Sequence, residues 1–509
     1  MGRPEMQTAM ASTVVGDIGR HWSRVSPDAI ALEDGSAALT YRQLDERVAH
    51  LAARLIHKGI CKGDVVAALL PNGCDCIVVA LAAARAGATF CPLNPRFTAR
   101  EMNSLVRVAK PRAVFVGGNR HPALADPLLR ELCPEELIVE VDPPEAAMSP
   151  STALPSVKPT DFFSLMFTSG TTGEPKGALA THRARMTWVS SGIIEYGVAR
   201  DDLYLSAMPL VHSAGLTLAL MHVEAGARVH VMPRFDANAF LRIASEARTT
   251  SALVVPTMLA MLLAELDDWC AKYDLSSLRR LITCGAPLPQ PTKSAVLRRL
   301  SSQLYDFYGS TESNSMTVLR PSDQVRKPHS VGKPFAGVRI RISDPVGEAL
   351  PSRQIGEIWS LNPSTMSRYV DAPEATAAAF SGQWYRTGDL GYLDDEGYLH
   401  LAGRAQEMII SGGLNIYPPE IESVLMEHPD IRDCAVVGVV DDTWGQVVKA
   451  FIVLRGDARL TLGELQAHCK QHLADFKKPR QVEIVAEIPR NAGGKVVKAA
   501  LTNALNCRA

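Results

Sequence analysis

Ten consecutive residues, Thr168-Ser169-Gly170-Thr171-Thr172-Gly173-Glu174-Pro175-Lys176-Gly177, gather three glycines, four hydroxyl side chains and a lysine directly behind the apolar run 162–167. Glycine lets a chain bend tightly enough for backbone N–H groups to face one anion, Ser and Thr add hydroxyl donors, and Lys176 adds a positive charge. The combination suits a polyphosphate. It is not a Walker A loop, because the spacing differs and neither Ser nor Thr follows the lysine. A solvated polar turn draws on the same residue types, but their density around one lysine argues for a phosphate cradle.

The loop resembles the phosphate-binding signature of the adenylate-forming superfamily, which includes acyl-CoA synthetases, peptide-synthetase adenylation domains and firefly luciferase. Other motifs similar to that family's follow in its order, so the resemblance covers nearly the whole chain. Met208-Pro209-Leu210-Val211-His212-Ser213-Ala214-Gly215 is similar to the segment that closes the acyl pocket, although a lone His in apolar surroundings is ordinarily a core residue. Cys284-Gly285-Ala286-Pro287-Leu288 resembles the adenine-binding turn. In Tyr305-Asp306-Phe307-Tyr308-Gly309-Ser310-Thr311-Glu312 the resemblance implies nucleotide contacts from Asp306, Phe307, Tyr308 and Gly309, with Tyr308 stacked on adenine. It further implies Thr311 at the adenylate phosphate and Glu312 on Mg²⁺, a cation that needs few protein oxygens when phosphates supply the rest.

In Tyr385-Arg386-Thr387-Gly388-Asp389-Leu390 the resemblance makes Asp389 the acceptor for the ribose hydroxyls, with Arg404 behind Gly403 supporting ribose or phosphate. The run Gln406-Glu407-Met408-Ile409-Ile410-Ser411-Gly412-Gly413 is similar to the family's hinge and to the loop lining its pantetheine tunnel, so Ser411, Gly412 and Gly413 are candidates for the thiol arm. Gln406 departs from the Lys or Asp usual at the hinge and brings no charge to favour one domain arrangement. Lys495, in Pro489-Arg490-Asn491-Ala492-Gly493-Gly494-Lys495, matches the lysine that reaches the carboxylate and α-phosphate during adenylation. Trp444, Phe476, Lys478 and Arg480 resemble the contacts that aryl-CoA ligases make with the nucleotide end of CoA.

The resemblance therefore implies an ATP-dependent ligase that forms an acyl-adenylate and passes the acyl group to CoA, with ATP, Mg²⁺ and CoA as cofactors. Two alternatives stay open, a stand-alone enzyme loading a carrier protein's phosphopantetheine and a non-catalytic nucleotide sensor. The pocket candidates His212, Ser213, Ala214, Gly215, Cys284, Ser310 and Asn314 are small or weakly polar and include no Arg or Lys, so the expected acid is a monocarboxylate with an aryl, polycyclic or medium-chain body.

The elements that must carry these residues are legible too. Leu44, Val48, Leu51 and Leu55 recur on one helical face before Gly59, and apolar runs near 65–70, 89, 113–116, 162–167, 228–232 and 252–255 alternate with helical patterns. This predicts an α/β architecture with mainly parallel sheets flanked by helices. Past residue 400 the pattern changes to strand-like 434–440 and 450–454, a helix around 462–473 and strand-like 482–485, which suits a small α+β domain, and the resemblance implies that this domain is mobile. The expected division is an adenylation domain at 1–403, a hinge at 404–406 and a lid at 407–509.

Composition agrees with a chain of this kind. At 509 residues it exceeds what one core organises, and 53 Lys plus Arg against 54 Asp plus Glu give no footprint for nucleic acid. Ten cysteines lack a disulfide or zinc pattern and read as reduced core thiols, and the N-terminus has no apolar signal segment. A cytoplasmic enzyme is expected, with no stable membrane insertion and a lean towards a homodimer. The long apolar stretch 203–221 contains Pro209, His212 and Gly215 and reads as buried core beside a site.

Overall fold

Thr40 starts a helix through a reciprocal cap. Its hydroxyl accepts the Gln43 N–H while the Gln43 side chain accepts the Thr40 N–H, and the helix Tyr41–His57 then buries Leu44, Val48, Leu51 and Leu55. Gly59, at φ 81°, turns the chain into the strand Val65–Leu69. The computed structural model describes residues 13–117, 138–140, 153–168, 175–266, 273–301, 303–404, 407–411, 414–441, 444–490, 496–498 and 500–501.

The predicted apolar runs become the centres of two sheets. One has seven strands in the order Arg368–Tyr369, Lys176–Thr181, Phe162–Thr168, Thr89–Pro92, Val65–Leu69, Ala113–Val116 and Ile138–Glu140. Its pairings are antiparallel only on the two sides of Lys176–Thr181. The other has nine strands. Ile30–Glu33, Arg228–Val231, Leu203–Ser206, Ser251–Val254, Arg280–Thr283 and Leu304–Ser310 pair in parallel, while Ala38–Thr40 closes one edge and Asn314–Leu319 with Lys333–Pro334 the other. A single apolar cluster joins the two sheets and encloses the helix Cys74–Arg85, which is buried from Cys76 to Arg85. The stretch 203–221 becomes the buried strand Leu203–Ser206 and the helix Ser213–Glu224. No described helix is long and apolar enough to cross a membrane.

Sequence patterning did not anticipate a third sheet. Arg339–Ser343, Gly356–Leu361, Trp384–Leu393, Phe380–Ser381 and Leu399–Arg404 pair wholly antiparallel, because neighbours such as Trp384–Leu393 and Leu399–Arg404 are joined by a short turn at 394–397 that leaves no room for a crossover helix. The fourth sheet holds Leu414–Ile416, Ile409–Ser411, Gly445–Leu454, Ile431–Asp441 and Gln481–Ile484. With the helices Pro418–Leu425 and Leu462–His472 it encloses its own core around Ile409, Ile421, Val436 and Ile452, the α+β unit expected past residue 400. Among the described cysteines Cys61 is exposed and the others are buried, all of them free.

Candidate active site

Thr168 ends one strand and Lys176 begins the next, and the antiparallel register sets them opposite each other. Ser169, Gly170, Thr171, Thr172 and Gly173 lie outside the described residues. The Lys176 ammonium stands 5.5 Å from the centre of the Tyr369 ring. Tyr369 donates its hydroxyl to Glu312 Oε1 at 3.0 Å, and the Met366 N–H holds the Glu312 carbonyl at 2.6 Å. Burial and the adjacent Glu312 carboxylate push the Tyr369 phenol well up, which keeps it a neutral donor. Lys176 and Glu312 thus converge on Tyr369, a residue that sequence reasoning missed because its strand, Arg368–Tyr369, is too short to show a period.

Glu312 and Thr311 occupy the turn between Leu304–Ser310 and Asn314–Leu319. Ser310 and Ser313 pin it reciprocally, each hydroxyl accepting the other's backbone N–H at 3.1 Å. Among the described residues no three His, Cys, Asp or Glu side chains cluster to hold a metal. Glu312 by itself would suit Mg²⁺, a cation that needs few protein oxygens when phosphates and water supply the rest.

Asp389 and Arg404 are cross-strand partners, and the guanidinium Nε lies 3.0 Å from Asp389 Oδ1. Tyr308 donates its hydroxyl to Asp389 Oδ2 at 2.6 Å, and Thr387 Oγ accepts the Asp389 N–H at 3.0 Å. The carboxylate is therefore fixed in place with acceptor capacity left for ribose hydroxyls. Strand alternation separates Tyr308 from Phe307, which packs instead into the core against Trp188 at a ring distance of 6.5 Å. Asp306 is buried, and burial raises its carboxyl to about 6 despite Lys293 Nζ 4.0 Å away. Cys284 is buried at the end of Arg280–Thr283, followed by the exposed Gly285 at φ 89°, then Ala286 and the exposed Pro287. That small-residue shelf suits an adenine lying on the backbone.

Five of the acyl-pocket candidates, His212, Ser213, Ala214, Gly215 and Asn314, meet at the N-terminus of the helix Ser213–Glu224. His212 is its N-cap residue, and burial pulls the imidazole below its ordinary range, so it stays neutral. At Gly215 an added Cβ would stand 2.5 Å from the Pro209 carbonyl oxygen, so only glycine lets Ala214 and the turn before it close up. Ser213 donates to Asn314 Oδ1 at 3.3 Å, and the Asn314 amide donates to the Ser364 carbonyl. On its other side Ser213 Oγ accepts from Arg185 Nη1 at 3.0 Å. The sequence expectation of a monocarboxylate rested on motifs without Arg or Lys, and Arg185 lies outside all of them. Its signal was nonetheless present: Arg185 shares a helical face with Trp188, Val189, Gly192 and Tyr196, all buried.

In the small unit, Ser411 pairs with Gly445, the residue after Trp444, and the Arg480 guanidinium stacks 4.3 Å over the Trp444 ring. Trp444 and Phe476 remain 41% and 40% exposed, an unusual surface position for two large aromatics. Lys478 meets Asp475 at 2.6 Å. Gln406, Gly412, Gly413 and Lys495 lie outside the described residues.

A family profile for AMP-binding enzymes matches residues 19–370, and one for the AMP-binding enzyme C-terminal domain matches 420–495. The chain belongs to the AMP-binding enzyme family. Within it the sequence falls in the CoA-ligase branch. It is 36% identical over 484 residues to a feruloyl-CoA synthase of Amycolatopsis sp, covering 94% of this chain and 96% of that protein. It is 32% identical over 483 residues to a 2-succinylbenzoate–CoA ligase of Geobacillus sp., covering 93% and 94%. An amide bond synthetase from Marinactinospora thermotolerans superposes with a TM-score of 0.88 at 31% identity, covering 96% of this chain and 99% of that one. The fold is accordingly that of the adenylate-forming enzymes, parallel sheets with flanking helices followed by a small α+β unit.

Proposed function

We propose that this AMP-binding enzyme is an ATP-dependent carboxylic acid:CoA ligase that makes an acyl-adenylate with release of pyrophosphate and then an acyl-CoA with release of AMP. The observation that carries the reading is the meeting of Lys176 and Glu312 on Tyr369, which packs with Tyr385, a phenol kept neutral by burial and by Glu312 and set four residues before Asp389 on the strand Trp384–Leu393. A cation, a carboxylate and a ribose acceptor carried by neighbouring elements suit a nucleoside triphosphate.

A carboxylic acid is already ionised at neutral pH, so no general base is needed for its attack on the α-phosphorus. Charge builds on the phosphoryl oxygens, and the chain answers it with Lys176 at the departing phosphates and Lys495 at the α-phosphate. Mg²⁺, held by Glu312, would supply further charge neutralisation. The acid is proposed to have an apolar body, which the aryl-bearing names of the two CoA-ligase relatives support. CoA is the proposed acceptor because Trp444 offers an exposed ring for its adenine and Arg480 a charge for its phosphates. Residues 407–509 would act as a lid turning about 404–406.

Pyrophosphate release with ATP, Mg²⁺ and a panel of carboxylic acids, with and without CoA and with products followed by mass, tests this. Acid-dependent turnover that requires CoA and yields the thioester is expected. Adenylate formation indifferent to CoA would redirect the acyl group to an amine or to a carrier-protein thiol, and silence across the panel would overturn the ligase reading.

A further inference from the structure

The acyl-pocket candidates rest on a cation that none of the motifs contains. Arg185 is 1% exposed. Its Nη1 reaches Ser213 Oγ at 3.0 Å and the Thr217 hydroxyl, its Nη2 reaches Ser164 Oγ at 3.3 Å, and its buried Nε has no hydrogen-bond partner. The Phe163 and Trp188 rings stand 5.7 Å and 5.4 Å from its Cζ. Every one of these neighbours is neutral, and among the described residues no carboxylate pairs with it. Burial lowers its pKa only to about 10, so the group is charged at neutral pH.

The other buried arginines among the described residues are neutralised. Arg85 meets Asp45 at 2.7 Å and Arg280 meets Asp202 at 2.7 Å. A buried cation without an anion is unfavourable, and its attraction for one is strong where water does not screen it. Its hydrogen bonds also have a direction. Arg185 donates to Ser213, Ser213 to Asn314, and Asn314 to the Ser364 carbonyl. Ser213 follows His212 in the pocket-closing segment and Asn314 stands two residues after Glu312, so the chain of donors runs from the buried charge to the residues proposed to surround the acyl group.

We propose that Arg185 is a specificity-determining residue and that the acid it selects carries a second carboxylate at the end remote from the one that is adenylated. The proposal rests on the acid-activating reading given above. The apolar body fits among the small pocket residues, and the far carboxylate supplies the anion that Arg185 lacks within the chain. A pocket built around a buried donor discriminates strongly against an analogue that leaves the donor unanswered, whereas an apolar pocket separates such analogues weakly.

Matched acids test it in the pyrophosphate assay: phenylacetate with carboxyphenylacetate, hexanoate with adipate, octanoate with suberate. The wild-type enzyme is expected to favour the dianionic member of at least one pair by at least about tenfold in kcat/KM. Arg185→Met is expected to bring that ratio to about one, chiefly through the diacid's KM, and Arg185→Lys to restore part of it. A wild-type ratio at or below one in every pair that turns over, or a preference that survives Arg185→Met, overturns the proposal and leaves Arg185 a structural cation. If Arg185→Met does not fold, the wild-type ratio decides alone. Turnover of the monocarboxylates only would overturn this inference and keep the ligase, while turnover of neither class would overturn both.

Discussion

Two buried arginine sites show how differently one residue type is handled. Asp202 is buried beneath Arg279 and Arg280, accepting also from the Ala199 N–H at 2.7 Å and the Thr250 hydroxyl at 2.7 Å. Burial alone would raise its carboxyl, but these donors outweigh burial and hold it down to about 2. The folded value lies below the unfolded one, about 3.9, so ionised Asp202 stabilises the fold. That contribution is complete above pH ~4 and is lost as the pH falls towards 2. Asp202→Asn leaves Arg280 buried without its anion and is expected to cost about 3–5 kcal/mol, read as a lower urea midpoint by tryptophan fluorescence. The acid limb of the wild-type stability profile should be flatter in this variant. Arg185 has hydroxyls and aromatic faces where Arg280 has Asp202, which is why one reads as structure and the other as a subsite.

At the scale of the element, the hairpin of Leu304–Ser310 and Asn314–Leu319 depends on a missing side chain. A Cβ on Gly309 would fall 1.8 Å from the Asn314 carbonyl oxygen and 3.2 Å from Ser315 Cα. Gly309→Ala must therefore push apart the two strands whose turn presents Thr311 and Glu312. A displacement of about 1 Å at such a site costs on the order of 10²-fold in rate. Gly309→Ala is expected to lose that much in acid-dependent pyrophosphate release while circular dichroism still shows folded protein. Motif reading singled out Gly309 for nucleotide contact, and backbone geometry gives it this second duty. Alternation within the same strand explains the fate of Phe307, since its neighbours on either side face away from the core that it enters.

For the molecule as a whole, the expected chemistry needs two arrangements, because Lys495 and the candidate tunnel loop at Ser411, Gly412 and Gly413 belong to the same C-terminal part and would serve different steps. Lys495→Ala is expected to lower adenylation by at least about 10²-fold. Thioester formation from supplied acyl-adenylate and CoA should fall far less, as measured by mass for each half-reaction. Equal losses in both would sink the idea of a lid that exchanges roles.

Local order made much of this protein legible in its sequence. The proposed phosphate loop stands out because an anion cradle draws its glycines, hydroxyls and lysine from one contiguous run, and the strands at 65–69 and 113–116 stand out because parallel strands buried on both faces are continuously apolar. The same holds for Leu44, Val48, Leu51 and Leu55, whose helical period needs no partner to be seen. Tertiary structure alone decided the rest. Tyr369 joins Lys176 to Glu312, Tyr308 and Arg404 share Asp389, and Arg185 meets Ser213, in each case between residues far apart in the chain and on different elements. Such contacts follow from strand order and register, which set distant residues side by side and leave no periodic trace in the sequence.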